Sequence, residues 1–234
     1  MKANIQKKTK LVNSVFSRVY QKYDFMNDIM SLGVHRIWKE KFIDWINPYK
    51  NAKIIDVASG TGDIAKLFLK KTNYCANISC VEPNIDMMNQ GKIKLKKFET
   101  VEWINAEAER IPVKDSTYDF YTISFGIRNV TDINLALKEA YRVLKPGGRF
   151  MCLEFSKIDN EFLNFLYKQY SKAIPYIGKI IVGSYEPYKY LINSIDEFYT
   201  QDQLVKIMSK NGFSNIEYRN MSNGITAIHS GWKI

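Results

Sequence analysis

Two carboxylates and a glycine turn are the first residues in this chain placed to do chemistry. The apolar, β-branched run over residues 53–57 breaks at Ala58-Ser59-Gly60-Thr61-Gly62-Asp63, and a second apolar run, residues 78–81, ends in Glu82, about 20 residues after the turn. Gly60 and Gly62 let the backbone turn sharply and let a ligand approach where a Cβ would obstruct it. A helix opening directly after such a turn aims its free N–H groups at the loop, and an acid at the spacing of Glu82 grips the hydroxyls of a bound ribose. The chemistry indicated is nucleoside binding.

What the turn lacks narrows the nucleoside. There is no Gly-x-x-x-x-Gly-Lys-Ser/Thr, so a phosphate-gripping loop is not expected. Asp56 near the strand tip and Asp63 at the helix start repel a pyrophosphate and favour a cation. S-adenosylmethionine, with an ammonium, a sulfonium and no phosphate, suits them better than a dinucleotide. A further polar pair, Arg128-Asn129, follows the apolar run 118–124, at a strand end where α/β proteins place their chemistry. His35 has the ordinary pKa of a general base, although a lone histidine beside a helix start is also commonly structural.

Residues so far apart in sequence need a frame to bring them together, and 234 residues are enough for one core in one domain. Strand patterns at 53–57, 78–82, 101–105, 118–124 and 149–155 alternate with helical patterns at 64–71, 83–98 and 135–144. That alternation predicts a doubly wound α/β domain with a parallel sheet and a ligand crevice beyond the carboxyl ends of its strands. A helix at 201–211 and strands near 215–219 and 225–230 add a closing antiparallel hairpin, which makes seven strands. The expected organisation is one domain over 1–234: N-terminal helices at 1–48, a cofactor core at 49–156, an apolar cap insertion at 157–200, and the closing helix and hairpin at 201–234.

The N-terminal part carries an amphipathic pattern over 12–30, then a turn into a helix ending near Pro48. Residues 161–192 crowd Phe, Tyr, Leu and Ile between Pro175, Gly178, Gly183 and Pro187, which predicts a helical cap that also lines a pocket for an apolar substrate. Cys75, Cys80 and Cys152 have neither an even count nor metal-ligand spacing, so no disulfide framework and no metal site is expected. The formal charge of +10 is compatible with nucleic acid, an anionic membrane surface or a compositional bias. The opening residues 1–10 are basic but lack the apolar core of a secretory signal, and no apolar run reaches the length that spans a bilayer.

The stretches Asp56-to-Asp63, Glu82-Pro83-Asn84, 106–112 and Leu144-Lys-Pro-Gly-Gly-Arg resemble a class I S-adenosylmethionine-dependent methyltransferase, whose fold is Rossmann-like. More narrowly, Phe16-Ser-Arg-Val-Tyr-Gln-Lys-Tyr-Asp-Phe-Met-Asn-Asp, Ile123-Ser-Phe-Gly-Ile-Arg-Asn-Val-Thr-Asp and Leu153-Glu-Phe-Ser-Lys resemble the ubiquinone/menaquinone biosynthesis C-methyltransferase family. Tyr188-Lys-Tyr-Leu, Ser194-Ile and Ala227-Ile-His-Ser-Gly fit as well, so the likeness runs along nearly the whole chain. It implies cofactor contacts at Thr61, Glu82, Glu107, Ala108 and Ser124, beside the Asp56, Gly60 and Gly62 read from the loop itself. Ala58 and Ser59 stand where the general methyltransferase pattern has glycine, and Lys189 where the family has arginine.

The resemblance also implies methylation of a ring carbon of a polyprenylated hydroquinone, demethylmenaquinol or a 2-methoxy-6-polyprenyl-1,4-benzoquinol. A ring carbon becomes nucleophilic when a neighbouring hydroxyl loses its proton, so a base or a phenolate stabiliser is required. Arg128 is the leading candidate for the stabiliser and Asn129 for orienting the ring or the cofactor, with His35 the candidate base and Tyr185 or a water as alternatives. Expected partners are the quinol, an anionic membrane surface, and a second copy or a quinone-synthesis complex. The expected location is cytoplasmic, peripheral on the inner membrane, or the mitochondrial matrix for a eukaryotic source. A nucleic-acid or other small-molecule methyltransferase is the rival reading, but residues 125–129 lack the Pro-Pro-aromatic turn of the nucleic-acid enzymes and no nucleic-acid partner is expected. A non-catalytic scaffold is the other rival, and the intact cofactor loop opposes it.

Overall fold

The computed structural model describes residues 33–158, 160–182 and 185–234, together with Ser17, Asp28 and Ser31. Apart from Ser17 and Asp28, the helix expected over 12–30 lies outside the described residues. Helix α1 (His35–Ile46) leads into β1 (Lys53–Val57), followed by α2 (Asp63–Lys71), β2 (Asn77–Val81), α3 (Ile85–Leu95), β3 (Val101–Ile104) and β4 (Tyr118–Ser124). A short 3-10 turn (Ile127–Asn129) then precedes α4 (Ile133–Val143) and β5 (Leu144–Phe155). The cap is α5 (Glu161–Val182) and α6 (Glu186–Asp196), and the chain closes with α7 (Gln201–Lys210), β6 (Ser214–Met221) and β7 (Thr226–Trp232).

The strands form one seven-stranded sheet in the order β3-β2-β1-β4-β5-β7-β6. β1 to β5 pair in parallel, while β7 runs antiparallel to both β5 and β6. The mostly parallel sheet with its closing hairpin is as the sequence pattern predicts. β1 lies between β2 and β4 and is apolar on both faces, because each face meets a layer of helices. Ile54 joins a core with Phe42 of α1 and Phe68 of α2, whereas Ile55 and Val57 join one with Leu137 of α4 and Leu204 of α7. The strand order reverses between β1 and β4, so their carboxyl ends open the crevice in which such sheets bind ligands.

Element ends differ from the sequence expectation for local reasons. α3 starts at Ile85, because the Asn84 side chain accepts from the Met87 N–H and caps it. α4 starts at Ile133, because the Asp132 side chain accepts from the N–H groups of Asn134 and Leu135. β5 begins at Leu144 instead of Arg149, since the Lys-Pro-Gly-Gly stretch is tied into the sheet by Gly147 N donating to Lys233 O (2.7 Å) and Lys233 N to Gly148 O (3.0 Å). The C-terminal residues that impose this pairing lie far along the chain, out of reach of a local pattern.

Candidate active site

The loop after β1 is built as its composition requires. Ala58, Gly60 and Gly62 all have positive φ (53°, 58° and 84°), and Gly62 caps α2 in the left-handed region. A Cβ on Gly62 would lie 2.8 Å from Leu95 Cδ1, so the loop packs on α3 with no room for a side chain. Ala58 is held there at a cost of order 1 kcal/mol, and Phe125 after β4 shares the same unusual conformation (φ 55°). The two loops touch: a Cβ on Gly126 would meet the Ala58 Cβ at 2.5 Å. Each lip of the crevice thus carries one non-glycine residue in the left-handed region.

Glu82 closes the loop from below. Its carboxylate accepts from Gly60 N (2.8 Å) and from Asn84 N (2.9 Å), which leaves each oxygen further lone pairs for hydroxyl donors. Burial pushes its pKa up to about 7 in spite of those two bonds. Asp56, 1 % exposed, accepts from Thr122 Oγ1 (2.8 Å) through one oxygen, and burial raises it to about 7 as well. The other Asp56 oxygen, and the buried Ser124 hydroxyl at the end of β4, have no hydrogen-bond partner among the described residues. Such orphaned polar atoms need an explanation, and a polar ligand in the crevice supplies one.

Thr61 is buried and accepts from Lys94 Nζ (2.8 Å). Ala108 is buried in the loop after β3, while Glu107 is exposed beside it, its carbonyl accepting from Arg110 N (3.2 Å). Asp63 departs from expectation. Lys39, reaching down from α1, bonds it at 2.8 Å and Lys94 lies 3.9 Å away. Burial alone would raise Asp63, but the two lysines outweigh it and hold the carboxyl below the ordinary range. The Asp63 charge is thus already matched, and Asp56 and Glu82 remain as the acids for a cation.

The second half of the site is the turn after β4. Arg128 donates from Nη1 to the Phe125 carbonyl (2.6 Å) and to Glu154 Oε1 (2.6 Å), and its guanidinium sits 5.4 Å over the Phe155 ring. Glu154 is 1 % exposed and also accepts from Phe155 N (2.9 Å); burial pushes its pKa up against the pull of Arg128. Asn129 Oδ1 accepts from the Tyr190 hydroxyl of α6 (3.0 Å), which ties the cap to the turn. Around the turn lie Trp38, Phe125 and Phe155, with ring centroids 4.9 to 6.3 Å apart.

His35 is held by a partner of its own and not by Arg128 or Asn129. Its Nε2 pairs with Asp28 (2.9 Å), itself held at about 2 chiefly by Arg36, and burial keeps the imidazole below its ordinary pKa against that pairing. The neutral ring leaves Nδ1 without a hydrogen-bond partner among the described residues. Sequence reasoning missed Lys39, Glu154 and Tyr190. Glu154 carried a readable signal, a lone acid in the otherwise apolar end of β5; Tyr190 was read only as one of the cap's aromatic residues, and Lys39 looked like an ordinary helix-surface residue. Among the described residues, no three His, Cys, Asp or Glu side chains are grouped to hold a metal ion, and no helix is long and apolar enough to cross a membrane.

A doubly wound seven-stranded sheet with a glycine loop after β1, an acid ending β2 and orphaned polar atoms at the switch point defines a class I S-adenosylmethionine-dependent methyltransferase. Solved structures share the fold: an S-adenosylmethionine-dependent methyltransferase of Thermotoga maritima matches with a TM-score of 0.66 at 21 % identity, covering 94 % of this chain and 99 % of that one. A phosphoethanolamine N-methyltransferase of Haemonchus contortus, solved with S-adenosylmethionine, matches with a TM-score of 0.61 at 13 % identity, covering 84 % of this chain and 52 % of that one. The chain belongs to the ubiE/COQ5 methyltransferase family, whose model matches residues 2–233. It is 51 % identical over 240 residues to the ubiquinone/menaquinone biosynthesis C-methyltransferase of Rickettsia prowazekii, covering 100 % of this chain and 96 % of the relative. It is 46 % identical over 227 residues to the enzyme of the same name from a Ruegeria species, with coverages of 95 % and 90 %.

The raised carboxyls give binding a pH dependence. Hydroxyls and cations are held by carboxylates, and protonation of Glu82 and Asp56 removes both acceptor strength and charge. Because burial raises both groups to about 7, S-adenosylmethionine affinity is expected to fall as pH drops below that value, by up to ~10-fold per unit for each of the two groups. Titration calorimetry across neutral pH checks this, and an affinity that is flat on acidification would contradict it.

Proposed function

We propose that the protein transfers a methyl group from S-adenosylmethionine to a ring carbon of a polyprenylated hydroquinone, a benzoquinol or a naphthoquinol. The relatives named for ubiquinone and menaquinone biosynthesis support the substrate class. The observation that carries the reading is the Tyr190–Asn129 hydrogen bond, because it joins the aromatic cap to the polar turn at the end of β4. An apolar-tailed ring held under the cap would meet Arg128 and Asn129 beside the cofactor crevice. Full-length membership of this family gives the nucleic-acid alternative no support.

When bound, S-adenosylmethionine supplies an electrophilic methyl group on a sulfonium. Glu82 would hold its ribose hydroxyls, Gly60, Thr61 and Gly62 would line its path, and Ala108 with Glu107 would flank its base. Asp56 contributes negative charge beneath the loop, and the orphaned Ser124 hydroxyl is free to bond the ligand. The acceptor needs help at its ring oxygen, where negative charge appears as the hydroxyl loses its proton. As the carbon then takes the methyl group the oxygen becomes a neutral carbonyl, and loss of the ring hydrogen as a proton restores the hydroquinone. With Asn129 Oδ1 occupied by Tyr190, the amide nitrogen is left as the donor toward that oxygen. Arg128, fixed by Glu154 and the Phe125 carbonyl, supplies a positive charge in surroundings of low dielectric, where it acts strongly. His35, neutral and with an acceptor nitrogen available, is the candidate to take the hydroxyl proton, directly or through water. The substrate tail places the reaction at a membrane surface, which the +10 charge favours when the lipids are anionic.

The test is incubation with methyl-labelled S-adenosylmethionine and each demethylated quinol in turn, with mass spectrometry of the products. Ring-methylated quinol from at least one class is expected; S-adenosylmethionine binding without transfer to either would reject the assignment.

A further inference from the structure

Helix α5 has two faces, and both are aromatic. The inner face carries Tyr167, Tyr170 and buried Ile174, and at Gly178 it lets the Tyr188 ring of α6 so close that an added Cβ would lie 2.3 Å from it. The outer face carries Phe162 (68 % exposed), Phe165 (57 %) and Tyr176 (63 %), with Lys172 and Lys179 exposed between and beyond them. Positions 162, 165, 169, 172, 176 and 179 follow the three-then-four spacing of a single helical stripe. Exposed Lys168 flanks the stripe, and Glu161 is the acid at its start.

A solvated helix face is ordinarily polar throughout, because exposed rings gain nothing from water. Rings interleaved with lysines are instead the pattern of a helix lying in the plane of a lipid headgroup layer, rings in the acyl boundary and ammonium groups at the phosphates. We propose that the outer face of α5 docks the protein on an anionic lipid bilayer. Charge complementarity decides for lipid over a second copy of the chain, since two such faces packed together would bring like-charged lysines into contact. The proposal deepens the quinol reading by naming where the tail's membrane is met, and rests on it only for that purpose. The same helix then stands between the bilayer and the turn at Asn129, with its inner face lining the way in.

The experiment is sedimentation of the full chain with vesicles of phosphatidylcholine, with and without a third phosphatidylglycerol. Expected is partitioning at least ~10-fold stronger with the anionic lipid, and lost to a similar extent in Phe162→Ser/Phe165→Ser and in Lys168→Glu/Lys172→Glu/Lys179→Glu. Both variants should keep wild-type S-adenosylmethionine affinity, which shows that they are folded. Vesicle binding that persists in both variants, or that ignores lipid charge, overturns the proposal. So does a dimer seen by light scattering that the phenylalanine variant abolishes, which would give the face to a second copy. Loss of the quinol reading would leave vesicle binding intact, so the two failures are distinguishable.

Discussion

Arg128→Ala is expected to cut turnover by at least ~10²-fold and to lower the melting temperature by roughly 10 °C. The two effects have separate origins. Arg128 and Glu154 form a buried pair at 2.6 Å, with side chains 4 % and 1 % exposed. Removing one partner strands the other's charge, at a cost of about 3–5 kcal/mol, and each kcal/mol is worth about 2–4 °C in a chain of this size. The turnover loss comes instead from the missing positive charge at the ring oxygen. Arg128→Met combined with Glu154→Leu separates them, because an apolar pair of similar volume removes the stranded charge. Part of the stability should return, the backbone N–H groups of Arg128 and Phe155 still lacking their Glu154 acceptor. Turnover should not return. Calorimetric melting, with turnover at saturating quinol and S-adenosylmethionine, checks both, and a double variant as active as wild type would remove the charge from the mechanism.

Glu82→Ala should weaken S-adenosylmethionine at least ~10²-fold, since hydrogen bonds to a charged acceptor are worth about 1.5–3 kcal/mol each. It also strands the N–H groups of Gly60 and Asn84, so the loop loses its brace along with its ligand acceptor. Glutamine is no neutral substitute, because its amide would set a donor against one of those N–H groups. Stability carries a second signature, set by the sign of the pKa shift. A carboxyl raised from 4.5 to about 7 stabilises the fold fully below its unfolded value, and that contribution is lost as pH rises through about 7. The melting-temperature deficit of the alanine variant should therefore be smaller at alkaline than at acidic pH. Calorimetric binding and melting curves read both effects; wild-type affinity in Glu82→Ala would end the ribose assignment.

The parts of this molecule legible in sequence are those whose causes are local. Gly60 and Gly62 state their own backbone conformation, the residues of β1 state that both sheet faces are covered, and Asn84 and Asp132 are caps within three residues of what they cap. The apolar crowding of α5 was equally plain, but not its division: the stretch reads as pocket lining, whereas Phe162, Phe165 and Tyr176 face outward. Composition states that apolar surface must be covered. Only packing states by what.

By itself, then, the sequence determined the strand-turn-helix cradle, the acid after β2 and the order of elements that makes a parallel sheet, because each depends on neighbours a few residues apart. Tertiary structure decided which charges remain available in that cradle. Asp63 meets Lys39 across 24 residues, Arg128 meets Glu154 across 26, and Asn129 meets Tyr190 across 61. Those partners come together only once β4 lies beside β5 and the helices are laid over the strand ends. A buried charge takes its role from whatever the fold sets against it, and that pairing is not encoded in any local stretch.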